Sequence, residues 1–403
     1  MNKRILGGDI CKDRVVCWML EEKPSHLRNY WKSEVKHRSK DPVEDEMTFY
    51  FTKTGISHLL KLKPDAIVLE PTGVHYSWLL SHICQCEGIE VLWVGHCEAT
   101  HYRKSHKLPD KNDLADALAL AAYAHTHWGK TDQFLQFEPG AIVQIRDLYL
   151  QMKSLTRVQS PIINRVRQQL CREFPEAAFK NSQPGKDGLS PLWAWLGSVE
   201  RPGVRRNFYY DRLYERSVAP AYGIEISQFS QRYAELLCQI HGWEHEAEQK
   251  LEELIYLSQF KEYNRTFDKF GIGLRPRALL LTHIYPLSKF ESLGSFKKRL
   301  GMAGDELSSG DRKGWNAGSG SKMCRTELYM WILVAIAPKG NRPHGAIGER
   351  LGNFYDERQK RFEIEKNDQG GSNTFGKLII SQTAAYGCKL LFKELKKALK
   401  LKE

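Results

Sequence analysis

The chain has 403 residues, with 60 lysines and arginines against 48 aspartates and glutamates, a formal net charge of +12 at neutral pH. At about 100–200 residues per domain, that length predicts two to four domains, each large enough to bury a core. Hydrophobic residues at 41% and charged residues at 27% exclude disordered, collagen-like and acidic-tail classes, and the basic surplus points to a polyanionic partner, nucleic acid or an acidic membrane surface.

The longest apolar stretch, Leu328 to Pro338, is about half of the roughly 20 residues a membrane span requires, so no membrane helix is expected. Asp9, Lys12 and Asp13 interrupt any apolar signal region behind Lys3 and Arg4, which argues against secretion. Nine scattered cysteines are an odd count and a poor disulfide framework, so the cytosol is the expected compartment. His82, Cys84, Cys86, His96 and Cys97 could be weighed as a zinc site. Cys84 and Cys86 fall in a helical pattern, where residues two apart point to different faces, and buried inert cysteines are the better reading.

Along the chain, Arg4–Ile10 and Arg14–Leu20 read as a β-hairpin, and Thr48–Thr52 as a further strand. Gly55–Leu62 is a short amphipathic helix and Ala66–Leu69 a buried strand ended by Pro71, Thr72 and Gly73. Tyr76–Cys86 is a helix, Glu90–Val94 a strand and Asp113–Ala124 an alanine-rich helix. This alternation predicts an α/β domain over residues 1–130.

Residues 131–265 turn to long helices. Ile145, Leu148, Met152, Leu155 and Val158 keep three- and four-residue steps, and Ile162, Val166 and Leu170 resume them after Ser160-Pro161, where a kink or restart is expected. A loop-rich connection over 175–225 leads to a short coiled-coil seam, Tyr233, Leu237, Ile240, Ala247, Leu251 and Leu254, interrupted at Glu244. The seam suits either an intramolecular hairpin with the 145–172 helix or a dimerisation arm. Residues 266–403 are predicted to be mostly helical. They open with Phe270-Gly271-Ile272-Gly273, a turn whose amides could approach a phosphate, although such pairs are equally common in ordinary turns. Ser308–Lys322, rich in Gly, Ser and basic residues, reads as a flexible or functional loop, and Lys389–Lys402 as a docked amphipathic helix carrying Leu391, Leu395 and Leu399.

Four carboxylates fall where a two-metal phosphoryl-transfer site needs them. Asp9 lies near the end of the first strand and Glu70 closes a buried one, and strand ends in an α/β sheet are where ligands gather. Asp113 and Asp116, three apart on a helix, share one face about 5–6 Å apart. Together the four could hold two Mg²⁺ ions that clamp the attacking and leaving oxygens of a phosphodiester. The plainer reading of Asp113 and Asp116 is as first-turn acids that complement the helix dipole. Glu70 resists that reading, because an acid closing a buried strand is costly unless paired or metal-bound.

Asp9, the run Glu70-Pro71-Thr72-Gly73-Val74-His75-Tyr76, and Lys111-Asn112-Asp113-Leu114-Ala115-Asp116-Ala117 resemble, in order and spacing, the N-terminal domain of the DEDD transposases of the IS110 insertion-sequence family, whose relatives include pilin-gene invertases and bridge-RNA-guided recombinases. The resemblance continues through Ile145-Arg146-Asp147-Leu148-Tyr149 to Gly271-Ile272-Gly273, Leu300-Gly301, Ser308-Ser309-Gly310, and Gly320 with Arg325. It implies an RNase H-like, junction-resolvase-like domain bearing the four acids as Mg²⁺ ligands, a helical coiled-coil middle, and a C-terminal transposase domain with a nucleophilic serine. That serine falls at Ser309, directly before a glycine, with Ser308 as the alternative; without the resemblance the segment reads as a plain loop turn. The implied activity is cutting and rejoining of target and donor DNA through a covalent phosphoserine–DNA intermediate, guided by a noncoding RNA, in a homo-oligomer beside the bacterial nucleoid. Two departures from the family pattern are Gly8, where an aliphatic residue is usual, and the absence of proline from Gly301–Leu307. Residues 338–375 align with nothing.

Nucleic-acid contacts are expected from Arg103, Lys104, Lys107 and Lys111 beside the acid pair, from Arg157, Arg165, Arg167 and Arg172 on the long helices, and from Arg325. For any one of them a solvated helix face is the plainer reading. Two other functions stay open: a metal-dependent, junction-resolvase-like nuclease in which water attacks, and a transposase-derived binding scaffold without activity.

Overall fold

The first hairpin forms where the apolar alternation predicts it. Strands β1 (Ile5–Ile10) and β2 (Arg14–Leu20) pair antiparallel, Ile5 opposite Leu20 and Ile10 opposite Val15. The structure, a computed structural model, describes residues 3–37, 45–71, 74–130, 133–135, 140–201, 203, 208–309, 312–317, 320–369 and 374–401. The chain divides into two units, Met1–Phe137 and Glu138–Glu403.

In the first unit, α1 (Leu27–Glu34), β3 (Thr48–Tyr50), α2 (Lys53–Lys61), β4 (Ala66–Leu69), α3 (Val74–Cys86), β5 (Glu90–Trp93), α4 (His96–Ser105) and α5 (Asp113–His127) follow the hairpin. The five strands form one sheet in the order β3-β2-β1-β4-β5, with β4 parallel to β1 and β5 parallel to β4. Two apolar layers cover it. Leu6, Val15, Cys17, Ile67 and Leu69 pack with Leu59, Leu80 and Cys84 on one face; Ile5, Trp18, Leu20 and Val68 pack with α1 and α5 on the other. Helix α5 is buried over most of its length, and its alanines let it lie close on the sheet. Helices α1 and α4 have no counterpart in the sequence reading: α1 buries only Leu27 and Trp31 and α4 buries no residue fully, so neither writes a clear apolar stripe.

Among the described residues, the regular structure of the second unit is helical apart from one hairpin. Helix α6 (Ala141–Glu173) runs unbroken through Pro161, which overturns a restart there. Proline removes one amide donor, and its exposed position leaves the freed carbonyl to water. Short helices α7 (Pro175–Ala178), α8 (Pro191–Leu196), α9 (Tyr209–Glu215) and α10 (Val218–Ala221) make the connection to α11 (Gln228–Ile255). The four-three seam of α11 is buried against α6 within the chain, through Leu237, Ile240, Ala247 and Leu251. Then come α12 (Lys261–Lys269), α13 (Leu274–Ile284), α14 (Leu293–Arg299), β6 (Gly304–Ser309), β7 (Arg312–Ala317), α15 (Lys322–Trp331), α16 (Ala346–Gln369) and α17 (Thr374–Ala398). One core joins Ile145 and Met152 of α6 and Leu251 of α11 to α12–α17, while Val166, Leu170, Trp193 and Leu237 build a second around the elbow. Leu391 and Leu395 are buried, as the docked-helix reading requires.

Two expectations are corrected. The segment expected to be a loop is an antiparallel hairpin, Gly304 opposite Ala317 and Ser309 opposite Arg312; its run of Gly, Ser and basic residues carries no period-two signal. Cysteines 86 and 97 are exposed, and only Cys84 of that group is buried. Among the described residues, no helix is long and apolar enough to cross a membrane.

Candidate active site

Strand parity brings the carboxylates to one place. Side chains two apart share a face, so Asp9 follows Ile5 and Gly7 onto the face covered by α5, and Glu70, just past β4, follows Val68 onto the same face. The parallel register pairs Gly7 with Val68 and Gly8 with Leu69, so one further step sets Asp9 beside Glu70 at the strand ends. Helix α5 crosses this face at Gly7: a Cβ there would stand 2.0 Å from the Ala117 carbonyl oxygen and 2.7 Å from the Ala121 nitrogen. Asn112 caps α5 by accepting from the Ala115 amide at 3.0 Å, which fixes Asp113 and Asp116 in the first turn.

The four acids share one electrostatic environment. The Asp9 carboxyl is pushed up to about 7, first by burial, then by the charges of Asp113, Asp116 and Glu70, with Arg103 pulling the other way. Asp116 is raised by burial and held back by Arg103, which forms an ion pair with it. His96 Nδ1 donates to Glu70 Oε1 at 2.8 Å, and Cys11 Sγ donates to Asp113 Oδ2 at 3.6 Å. Burial and the neighbouring Asp113 push the Cys11 thiol up to about 11, so it stays protonated. Among the described residues, no three Asp, Glu, His or Cys side chains converge closely enough to hold a metal as they stand, since Glu70 is turned onto His96 and Asp116 onto Arg103. The donor set nevertheless suits a hard divalent cation: all carboxylate oxygen, with a crowded charge that a cation relieves.

Residues 6–175 match the family model for the DEDD transposases of IS110 elements, described as a transposase. The chain carries an IS110-type DEDD transposase domain. No curated protein matches the chain. The matched span of the transposase domain takes in all four carboxylates and the whole of α6.

Of the basic residues expected to meet nucleic acid beside the acid pair, Lys104, Lys107 and Lys111 are exposed, and Lys107 and Lys111 hold left-handed backbone, φ +55 and +52, on the approach to α5. Arg103 is turned inward, its side chain 11% exposed and committed to Asp116 and to Asp110 at 3.3 Å. Arg157, Arg165 and Arg172 are exposed along α6, while Arg167 is half-buried. In the second unit, Ser308 and Ser309 end β6; their side chains lie outside the described residues, as do Gly310 and Asp311. The root of that hairpin is tightly built. Gly320, at φ +109, lies so close to α14 that a Cβ would meet the Lys298 carbonyl oxygen at 1.8 Å, and Arg325 Nε donates to the Gly301 carbonyl at 2.9 Å. Gly301, Gly320 and Arg325, read from sequence only as family echoes, therefore share a structural role. His96, Cys11 and Gly7 were not assigned to this site; His96 and Cys11 stand 26 and 102 residues from their carboxylate partners, a separation no local pattern bridges.

Proposed function

We propose that the chain is a DNA transposase that cuts and rejoins strands at a divalent-cation site formed by Asp9, Glu70, Asp113 and Asp116, with Ser309 as nucleophile. The observation that carries this reading is the gathering of four carboxylates at one sheet end inside a transposase domain. The sheet order, three antiparallel strands followed by two parallel ones, supports the RNase H-like assignment. Mg²⁺ held by these carboxylates would polarise the phosphate and stabilise the charge that builds on it. The protein's own steps are a transesterification. The Ser309 hydroxyl oxygen bonds to phosphorus, the bond from phosphorus to the deoxyribose oxygen breaks, and the serine proton ends on the leaving oxygen. The ester so formed conserves the bond for rejoining. Exposed Lys104, Lys107 and Lys111 suit backbone contacts to target and donor DNA. A noncoding guide RNA, a homo-oligomer and a cytosolic site belong to the same reading.

Full-length protein, the RNA encoded beside its gene, element DNA and Mg²⁺ should yield a denaturant-resistant protein–DNA adduct that Asp9→Asn abolishes. An adduct still formed by Ser309→Ala with Ser308 intact would remove Ser309 from its role. A water-using nuclease is the second reading, favoured by the placement of all four acids within the first unit.

A further inference from the structure

We propose that the groove between α2 and α3 in the first unit binds a single-stranded DNA segment, with Tyr76 and Trp78 stacking on its bases and Lys53, Lys61 and Lys63 meeting its phosphates. The proposal rests on the reading of the chain as a DNA transposase, and gives that reading a place for an unpaired strand.

Strand register sets where the groove begins. Helix α2 opens at Lys53, just past Tyr50, and Tyr50 pairs with Arg14, close to Val16, the partner of Asp9. Helix α3 opens at Val74, just past Glu70. Both helices therefore start at the sheet end that carries the carboxylates and run away from it, on the face opposite α5. Between them lies a shallow groove of about 680 Å³, walled by Phe51, Ile56 and Leu60 on one side and by Leu79 and Ile83 on the other. Exposed apolar residues gathered in this way mark a binding surface, and the residues around them identify its occupant. Tyr76 stands three and seven residues before Leu79 and Ile83, on the same face of α3, and is 46% exposed. Trp78, next to Leu79 on the outer side of the helix, is 52% exposed. Its indole lies flat on the His82 ring, centroids 5.1 Å and planes 6° apart, so one face is backed and the other is presented outward.

The charge around the groove has one sign. Lys53 stands at the carboxylate end and Lys61 and Lys63 at the far end, all three exposed, and no acid lines the groove. Among the described residues none of these lysines is paired with a carboxylate. Asp65, the acid nearest Lys63 in the chain, accepts from the Arg4 amide at 2.8 Å, and Glu87 lies past the end of α3. An apolar protein segment would leave the lysines without counter-charge, and a duplex keeps its bases stacked on one another. A single strand offers bases to the rings and phosphates to the ammonium groups together. From Lys53 to Lys61, α2 covers about 12 Å at 1.5 Å per residue, the length of about three phosphates at 3.4 Å spacing. DNA is the strand that fits, because the groove starts at the sheet end where the transposase reading places the cut. Asp9 and Glu70 face α5 on the other side of the sheet, so the groove takes the segment that continues beyond the reacting phosphate. Tyr76, Trp78 and the three lysines are binding residues and take no part in the chemistry.

The test measures binding of the full-length protein, across a salt series, to a DNA single strand of about 12 nucleotides, to its duplex and to an RNA strand of the same sequence. Tyr76→Ala with Trp78→Ala should weaken binding to the DNA single strand at least about tenfold, with the salt slope kept and the duplex affinity unchanged. Tyr76→Phe with Trp78→Phe, which keeps a ring at each position, should retain most of the affinity. Lys53→Gln, Lys61→Gln and Lys63→Gln together should reduce the slope of log affinity against log salt by about 2, at about 0.7 per phosphate of a single strand. All five side chains are exposed, so no variant should melt below wild type; should the alanine pair do so, the phenylalanine pair and the lysine set decide. Wild-type affinity for the single strand in the alanine pair, or an unchanged slope in the lysine set, would overturn the groove and leave the transposase reading intact. Tighter binding of the RNA strand, lost in the same variants, would overturn the assignment to DNA. A wild-type oligomer that the alanine pair dissociates, with strand binding unchanged, would make the groove a contact between copies instead. Wild type that binds neither form of DNA would sink the transposase reading itself, and the groove with it.

Discussion

Gly7 decides where α5 can lie, because the backbone of α5 comes so near β1 that a methyl group has nowhere to go. Gly7→Ala should cost at least about 2–3 kcal/mol in urea unfolding, since the atoms it meets are backbone and the helix must shift. At Gly8 the nearest atoms are side-chain ends of Leu69 and Val15, both 3.1 Å away, so Gly8→Ala should cost less than about 1 kcal/mol. Equal losses at the two positions would contradict this account of α5. Asp9 is the converse case, a residue whose charge strains the fold it serves. It is half-buried among three like charges, so Asp9→Asn should raise the melting temperature in cation-free buffer while abolishing strand transfer. Mg²⁺ should stabilise wild type more than the variant, and a melting temperature lowered by Asp9→Asn would show that the carboxylate is a structural hydrogen-bonding group instead. The four acids could be picked out of the sequence because strand ends and a helix first turn are local patterns. The partners of two of them, His96 for Glu70 and Arg103 for Asp116, follow only from the fold.

Among elements, the pairing of α6 with α11 explains the residue that breaks the four-three repeat. Glu244 accepts from Thr156 Oγ1 at 3.2 Å and from Gln159 Nε2 on α6, and from Arg275 Nη2 on α13 at 2.8 Å. It is a polar link among three helices, and one that apolar periodicity records only as an interruption. Glu244→Ala should lower stability by about 1–3 kcal/mol, because it leaves Gln159, itself buried, without its acceptor; an unchanged melting curve would make the link incidental. Helix α13 adds a dependence on pH. Burial first, opposed by the bond to the Leu279 carbonyl and aided by the charges of Arg299 on α14 and Arg146 on α6, brings His283 down to about 4 from an ordinary value of 6.5. Between these values the unfolded chain binds a proton that the folded chain refuses, so stability falls as pH drops from about 6.5 toward 4, by on the order of 2 kcal/mol. His283→Gln should flatten that part of the profile; a variant as acid-sensitive as wild type would place the titration elsewhere. The β6–β7 hairpin marks where pattern reading fails: Ser308, Ser309 and Gly314 look like part of a loop, and pairing across the hairpin turns them into strand.

At the scale of the whole chain, the two units separate two chemical demands. Residues 1–137 hold a sheet with an apolar layer on each face and every carboxylate of the candidate site, while the serine lies in residues 138–403. Because both layers of the first unit are complete within it, a fragment ending at Phe137 should unfold in a single cooperative transition. The same fragment should gain stability from Mg²⁺, because the crowded carboxylates that a cation relieves all come with it. It should form no covalent adduct with DNA, because Ser309 is absent. Gel analysis of fragment, Mg²⁺ and a branched DNA substrate then decides between the two enzymatic readings. Intact DNA is the outcome the serine mechanism requires, since an attacking group is missing. Cleavage to free ends without an adduct would mean that water attacks at the carboxylates unaided, and the chain would be a nuclease whose second unit serves to bring it to its DNA.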